Sequence, residues 1–320
     1  MEQLTKWQVI FNPHAGCGKA RRDKRHIITL LNNSGLQFIM HQSDYAGHAL
    51  ELAKQLAASN YTHFIVAGGD GTLNEVVNGI FQGKSHTVSK IVVGMIPVGT
   101  GNDWIRTFGI PDDYQKAIEI IKEGKTVIQD VGLITRRELA GIEKRYFTNI
   151  AGFGFDAMVA SYANALKNRG ISGIRVYIQS FLKSYLKYKE ADTLIIIDDQ
   201  RIKVNLFSIS VGIGKYNGGG MMQVPDANPV EGLFHITLIR KMSLLGIIQN
   251  FRKLYSGSFL SDRRVSSHKG KHVSIKAQTS LLGEADGENL GKGHFNLQLI
   301  PHQLKVVYGG NLFPENPKSL

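Results

Sequence analysis

Asp70 stands among glycines in the run Gly68-Gly69-Asp70-Gly71-Thr72-Leu73-Asn74-Glu75-Val76-Val77-Asn78-Gly79. A carboxylate so placed can serve a divalent ion or a cationic group, and residues lacking Cβ let a phosphate come close to the backbone. The apolar stretch His63-Phe64-Ile65-Val66-Ala67 precedes the run, and Leu73, Val76, Val77 and Ile80 follow at helical spacing, so the reading is strand, tight loop, helix. The carboxyl end of a parallel strand, facing a helix N-terminus, is a place where anions bind. Thr72 and Glu75 stand at capping-box spacing, which makes part of the motif plain helix-start chemistry. Asp70 is surplus to that need.

Two further turns have the same character. Asn12-Pro13-His14-Ala15-Gly16-Cys17-Gly18-Lys19 ends the strand Gln8 to Phe11, and Pro97-Val98-Gly99-Thr100-Gly101-Asn102-Asp103 ends a strand over 91–96. Helices are expected over 20–33, 46–58, 73–81 and 114–123, and strands over 36–41 and 63–67. Strands alternating with helices predict a parallel sheet covered on both faces, with all three loops along one edge. Past residue 124 the pattern changes: strands are expected over 127–134, 146–151, 194–197, 203–211, 234–239, 273–277, 295–300 and 305–307, with few helices between. That predicts an antiparallel β-rich second domain beginning near Gly132. Within it, Ile174, Tyr177, Ile178, Phe181, Leu182, Tyr185 and Leu186 form an apolar stripe opposite Lys183, Lys187 and Lys189. Such a helix either packs on a sheet edge or faces lipid. Pro314 to Leu320 is expected to be a loose tail.

At 320 residues the chain is long enough for two domains. No apolar run approaches the roughly 18–20 residues that span a bilayer. The first residues lack the apolar core of a signal peptide and Cys17 is the only cysteine, so a cytoplasmic protein without an internal disulfide is expected. A formal charge of +12 asks for an anionic partner. Zinc-ligand spacing and RNP-like aromatic patterns are missing, so nucleic acid is not the expected partner. Arg21, Arg22, Lys24, Arg25 and His26 crowd the start of the first helix, where its dipole disfavours cations, and an anion is expected near them.

Asn12-Pro13-x-x-Gly16, the run Gly68 to Glu75 and Pro97-x-Gly99-Thr100-Gly101-Asn102-Asp103 together resemble the diacylglycerol kinase catalytic-domain family, which includes bacterial diacylglycerol kinases and sphingosine and ceramide kinases. Asp130-Val131-Gly132, Asn149-x-x-Gly152-x-Gly154-Phe155-Asp156-Ala157, Gly218-Gly219-Gly220 and Asp286-Gly287-Glu288 extend the resemblance over nearly the whole chain. NAD kinases and phosphofructokinases share the Gly-Gly-Asp-Gly loop; the other blocks discriminate. The resemblance implies an α/β fold, with an NAD-kinase-like domain over residues 1–131 and 302–320, a β-sandwich over 132–301, and nucleotide between them. The implied ATP-binding residues are Asn12, Pro13, Gly16, Ser43, Gly68, Gly69, Asp70, Gly71, Thr72, Leu73, Glu75, Thr100, Asn102 and Asp103. Ser43 stands where the family often has threonine, before Gly47-His48-Ala49. Metal ligands are implied at Asp70 and, in the second domain, at Asn228, Glu231 and Leu233, where Glu231 replaces the usual aspartate and is one methylene longer.

Phosphoryl transfer needs positioning and charge neutralisation more than covalent chemistry. Amides of Gly69, Gly71 and Thr72 are expected to hold the phosphates of ATP, with Asp70 and Asp103 orienting Mg²⁺. The resemblance assigns the proton acceptor to Asp286 or Glu288, two apart and on one side of a strand if extended. Diacylglycerol is the expected acceptor, giving phosphatidic acid; a sphingoid base, undecaprenol, phosphatidylglycerol and NAD are alternatives, as is a nucleotide-binding regulator without turnover. A lipid substrate implies peripheral contact with an anionic membrane, for which Lys183, Lys187, Lys189, Arg263, Arg264, Lys269 and Lys271 are candidates. Edge strands of the second domain could pair in a homodimer.

Overall fold

The structure, a computed structural model, describes residues 6–83, 88–138, 141–167 and 174–310; the expected tail Pro314 to Leu320 lies outside them. The chain divides into two compact units, Met1–Gln129 with His302–Leu320, and Asp130–Pro301.

The first unit runs β1 (Trp7–Phe11), α1 (Lys19–Ser34), β2 (Phe38–Gln42), α2 (His48–Ala58), β3 (His63–Gly68), α3 (Asp70–Gly83), β4 (Val92–Pro97), α4 (Asp103–Thr107) and α5 (Tyr114–Glu123). The strands pair in parallel in the order β2-β1-β3-β4, with Val9 beside both Met40 and Ile65, and Ile65 beside Gly94. The order makes physical sense. All five residues of β1 are buried, as befits a central strand covered on both faces. Val9, Phe11, Ile65 and Ala67 share one core with Ile27 and Leu31 of α1 and Ile118 and Ile121 of α5. Each such large side chain contributes about 1.5–3 kcal/mol by leaving water. Winding reverses between β1 and β3, so the crevice outside their carboxyl ends is where a fold of this kind binds ligands.

The second unit contains β5 (Thr126–Glu138), which begins in the first, then β6 (Gly141–Phe147), β7 (Ile150–Gly154), α6 (Phe155–Lys167), α7 (Ile174–Lys187), β8 (Ala191–Ile197), β9 (Gln200–Gly212), β10 (Tyr216–Asn217), β11 (Met221–Met222), β12 (Phe234–Arg240), α8 (Leu244–Phe251), α9 (Lys253–Ser256), β13 (Val265–Gly270), β14 (His272–Ala277), β15 (Leu281–Ala285), β16 (Glu288–Gly293) and β17 (Phe295–Val307). Its strands pair antiparallel, with β9 bonded to β8, β7 and β12 and the chain of partners continuing from β7 to β15 and β16. Phe147, Phe153, Ile195, Ile209, Phe234 and Phe295 fill the main core. A smaller core of Phe155, Phe207, Met242, Phe259 and Val265 receives Phe181 and Tyr185 from α7 and Leu254 from α9.

Several expectations need correction. The strand expected over 146–151 is two, β6 and β7, broken at Thr148-Asn149. The strands expected at 295–300 and 305–307 are one, β17, which turns at His302, where φ is 53. More structure is present than expected: α4, α6, α8 and α9 add helix, and β13, β15 and β16 add strand.

α3 carries the Asp70 loop, and its placement depends on a close helix crossing. A Cβ on Gly79 would sit 2.8 Å from the Ala53 Cβ and collide with the Leu50 carbonyl of α2. Alanine favours an isolated helix over glycine by about 1 kcal/mol, whereas overpacking costs about 1–3 kcal/mol. Backbone cannot yield as a side chain does, so the clash wins. Gly79→Ala is expected to lower the urea midpoint despite its propensity gain; a raised midpoint would refute the close crossing.

Candidate active site

The three glycine loops of the first unit meet at the ends of β1, β3 and β4. Val98 N donates to Gly68 O at 2.8 Å, and Asn12 N donates to Ala67 O at 3.0 Å. Gly16 has φ +61, and a Cβ there would run into the Val98 carbonyl. A Cβ on Gly99 would lie 2.6 Å from the Gly69 Cα and 2.5 Å from Asn102 Oδ1. The loops therefore touch backbone to backbone, and only glycine permits it.

Asp70 ties two of them. Its Oδ2 accepts from Asp103 N at 3.0 Å and its Oδ1 from Trp104 N at 3.1 Å, so it caps α4. Asp70 Oδ2 and Asp103 Oδ2 both lie 3.5 Å from the point that a Gly101 Cβ would occupy. Two carboxylates bordering a space kept open by glycine suit Mg²⁺, which binds through one or two carboxylates, phosphates and water. These residues fit the ion implied by the sequence. Asn102, with φ 48, gives its Nδ2 to Gly99 O and Asp112 Oδ1, while its buried Oδ1 has no hydrogen-bond partner among the described residues. That spare acceptor faces the junction of the Gly69 and Gly99 loops.

The remaining predicted residues divide. Asn12 Nδ2 donates to Thr72 Oγ1 at 2.9 Å, and Asn12 Oδ1 receives His14 N. The capping box is not formed, because α3 begins at Asp70 and already contains Thr72. Leu73 N donates to Gly69 O, making Gly69 the cap position and removing the Leu73 amide from the candidate phosphate donors. Glu75 Oε1 instead receives Gly47 N at 3.0 Å, tying the start of α2 to α3. Ser43 is buried, with its hydroxyl toward Phe11 O at 3.5 Å rather than displayed. Pro13 is buried, and Thr100 is exposed at the tip of its loop. Of the basic residues on α1, Lys24 meets Gln42 Oε1 and the Phe11 ring, and Lys19 lies over the Tyr114 ring.

In the second unit Asp286 and Gly287, with φ 49 and 84, form the two-residue turn joining β15 to β16. Asp286 and Glu288 are therefore not on one side of an extended strand. Asp286 Oδ1 receives the amides of Asn149 at 3.0 Å and Ile150 at 3.3 Å, and Oδ2 receives Thr148 N at 3.0 Å and the Thr148 hydroxyl at 3.4 Å. Glu288 pairs with Ala285 in the hairpin and is half-buried.

Two acids beyond the predicted set lie close by. Glu284 is fully buried, with Oε2 receiving Gly287 N at 2.8 Å and Oε1 receiving Asn217 Nδ2 at 3.2 Å. Burial first, then the charges of Asp286 and Asp156, push its carboxyl up to about 8. Asp156, whose Oδ2 accepts from Ser210 Oγ at 3.0 Å, is also raised by burial, against the pull of Ser208 and Ser210. The signal for Asp156 was its place in Gly154-Phe155-Asp156-Ala157; for Glu284 it was an acid at an inward position of a short strand.

The expected second metal site does not fit a divalent ion as arranged. Glu231 Oε1 receives Lys269 Nζ at 2.9 Å and Oε2 meets His235 Nε2 at 2.7 Å, and Lys269 then His235 hold its carboxyl below the usual range. Asn228 Oδ1 accepts from Val230 N, and Asn228 O from Glu231 N.

A parallel β2-β1-β3-β4 sheet with glycine loops at its switch point, in one chain with an antiparallel β-sandwich-like unit, defines a kinase-type α/β fold. It is shared with the crystal structure of yeast NADH kinase complexed with NADH, at a TM-score of 0.54 and 13% identity over 98% of this chain and 86% of that one. Residues 6–134 match the diacylglycerol kinase catalytic domain, and 149–308 match the YegS C-terminal NAD kinase beta sandwich-like domain. The chain belongs to the diacylglycerol kinase catalytic-domain family. A diacylglycerol kinase from Staphylococcus saprophyticus is 29% identical over 93% of this chain and 94% of its own length. The crystal structure of a diacylglycerol kinase from Bacillus anthracis superposes at a TM-score of 0.70, with 20% identity over 98% of this chain and all of that one.

The buried Glu284 makes stability fall as pH rises. Between the ordinary carboxyl value of 4.5 and about 8 the folded protein holds a proton that the unfolded chain has released. The slope from one such group is at most about 1.4 kcal/mol per pH unit. Glu284→Gln is expected to lose less stability than wild type between pH ~5.5 and pH ~8 in urea titrations. Parallel losses in the two proteins would show that Glu284 is not protonated in this window.

Proposed function

We propose that this protein is an ATP-dependent lipid kinase that moves the γ-phosphoryl group to a lipid hydroxyl, with diacylglycerol as acceptor and phosphatidic acid as product. The observation that carries the reading is the meeting of the Gly16, Gly69 and Gly99 backbones at the sheet's switch point, beside Asp70 and Asp103. First-turn amides of α3, at Gly71 and Thr72, have no carbonyl one turn back within the helix, which suits them to phosphate oxygens. The choice of diacylglycerol is supported by relatives of that name spanning nearly the full chain.

When bound, Mg²⁺ supplies charge neutralisation at the phosphates; Asp70 and Asp103 would hold it. The acceptor oxygen forms its bond to the γ-phosphorus, the bond from that phosphorus to the bridging oxygen breaks, and ADP leaves. The hydroxyl proton goes to a carboxylate of the Asp286-Gly287-Glu288 turn. Asp286 is already saturated with amides, which favours Glu288 as the acceptor and Asp286 as the residue that fixes the turn.

The test is labelled ATP against a panel of diacylglycerol, sphingosine, undecaprenol, phosphatidylglycerol and NAD, with Asp70→Asn, Asp286→Asn and Glu288→Gln beside wild type. Labelled phosphatidic acid is expected. A general base is worth roughly 10²–10⁴ in rate, so Glu288→Gln should lose that much turnover while binding ATP normally. Asp70→Asn should shift the magnesium dependence upward. Labelled NADP alone, or no product from any acceptor, would overturn the reading.

A further inference from the structure

The surface of α8 and α9 has a composition that the core does not explain. Met242, Gly246, Asn250 and Phe259 are buried and fasten the segment to the second unit, with Met242 and Phe259 in the smaller core and Asn250 Nδ2 bonded to Asp262 Oδ2 at 3.0 Å. Leu244, Phe251 and Tyr255 turn the other way and are 36%, 41% and 46% exposed. Phe251 and Tyr255, one helical turn apart, meet edge to face at 6.0 Å.

The charge around them has one sign. From Gly232 to Ser261 the sequence holds Arg240, Lys241, Arg252 and Lys253 and no aspartate or glutamate. Glu190 pairs with Lys241 of the segment at 3.5 Å and Asp262 with Arg264 at 2.6 Å, which leaves Arg252 and Lys253 as the cations beside the aromatic side chains. Arg252 and Lys253 are exposed between the two aromatic side chains. Cations expected from sequence to meet a membrane are partly spent: Lys269 on Glu231, Arg264 on Asp262, and Lys183 over the Tyr162 ring.

We propose that the α8–α9 face is the seat of an anionic bilayer, with Phe251, Tyr255 and Leu244 entering the interfacial layer and Arg252 and Lys253 meeting headgroup phosphates. Aromatic residues flanked by cations are the composition that interfacial binding selects, because apolar area and anionic headgroups attract together. A second copy of this chain would bring Arg252 and Lys253 against their own counterparts across a two-fold contact, which disfavours it. The inference rests on the lipid-kinase reading for its purpose, but the binding can be measured without turnover.

Trp7 and Trp104 are 7% and 1% exposed, so both are shielded from solvent and lipid alike. In Phe251→Trp, emission should shift to the blue on adding phosphatidylcholine vesicles containing phosphatidylglycerol, and less with phosphatidylcholine alone. Phe251→Ser/Tyr255→Ser and Arg252→Glu/Lys253→Glu should each sediment with the anionic vesicles roughly tenfold less or weaker still, and wild-type binding should fall with salt. Both pairs should phosphorylate detergent-dispersed lipid at the wild-type rate. An unshifted Phe251→Trp spectrum, wild-type sedimentation by the paired variants, or a wild-type dimer that those variants render monomeric would overturn the proposal. Absence of lipid phosphorylation by wild type, with vesicle binding intact, would instead count against the kinase reading alone.

Discussion

The first unit depends on a contact between main chains. Where Gly69 meets Gly99, and Gly16 meets the Val98 carbonyl, the loops touch main chain to main chain, and Asn12 N and Val98 N tie them to the Ala67 and Gly68 carbonyls at the end of β3. A single methyl group would hold them apart. Asp70 reinforces the arrangement from within. By accepting the amides of Asp103 and Trp104 it fixes the start of α4, and in doing so aligns its own carboxylate beside that of Asp103.

The second unit treats its acids differently. Asp286 is saturated by the amides of residues 148–150, which converts a charged group into a structural clasp for the turn after β6. Glu284 is held by Gly287 and Asn217, and its burial favours the neutral form at neutral pH. Between Asp156 and Gln223 stands the Ser210 hydroxyl, 3.0 Å from one oxygen and 3.4 Å from the other. One hydroxyl proton cannot satisfy two acceptors. Burial raises the Asp156 carboxyl from its ordinary value against the pull of Ser208 and Ser210.

Much of this was legible in the sequence, for identifiable reasons. Alternating apolar runs and glycine turns give the parallel sheet and its loops, because burial on both faces leaves a strong local pattern in β1, β3 and β4. What failed depends on long-range geometry. Thr72 and Glu75 have capping spacing, but their partners are Asn12 and Gly47, far along the chain, and no local pattern records that. The Asp286-Gly287 pair is a hairpin-turn signal, and the structure takes that turn in place of the extended alternative, which separates Asp286 from Glu288. α8 and α9 escaped notice because their apolar residues are split between a small core and the surface, so neither a strand nor a one-faced helix fits them.

The two candidate metal sites show how the same residue type is assigned opposite duties. Asp70 Oδ2 accepts the Asp103 amide and, with Asp103 Oδ2, borders the space beside Gly101, while Arg106 Nε lies 3.7 Å from the other oxygen of Asp103. Glu231 is neutralised from within the protein, because the extra methylene carries its carboxylate out to Lys269 and His235. An ammonium at 2.9 Å already gives a carboxylate the charge-assisted bond that a divalent ion would otherwise supply, without the loss of water that Mg²⁺ resists. An external cation at Glu231 would have to displace Lys269 and leave it without its carboxylate partner, so the second unit keeps its shape here with its own cations.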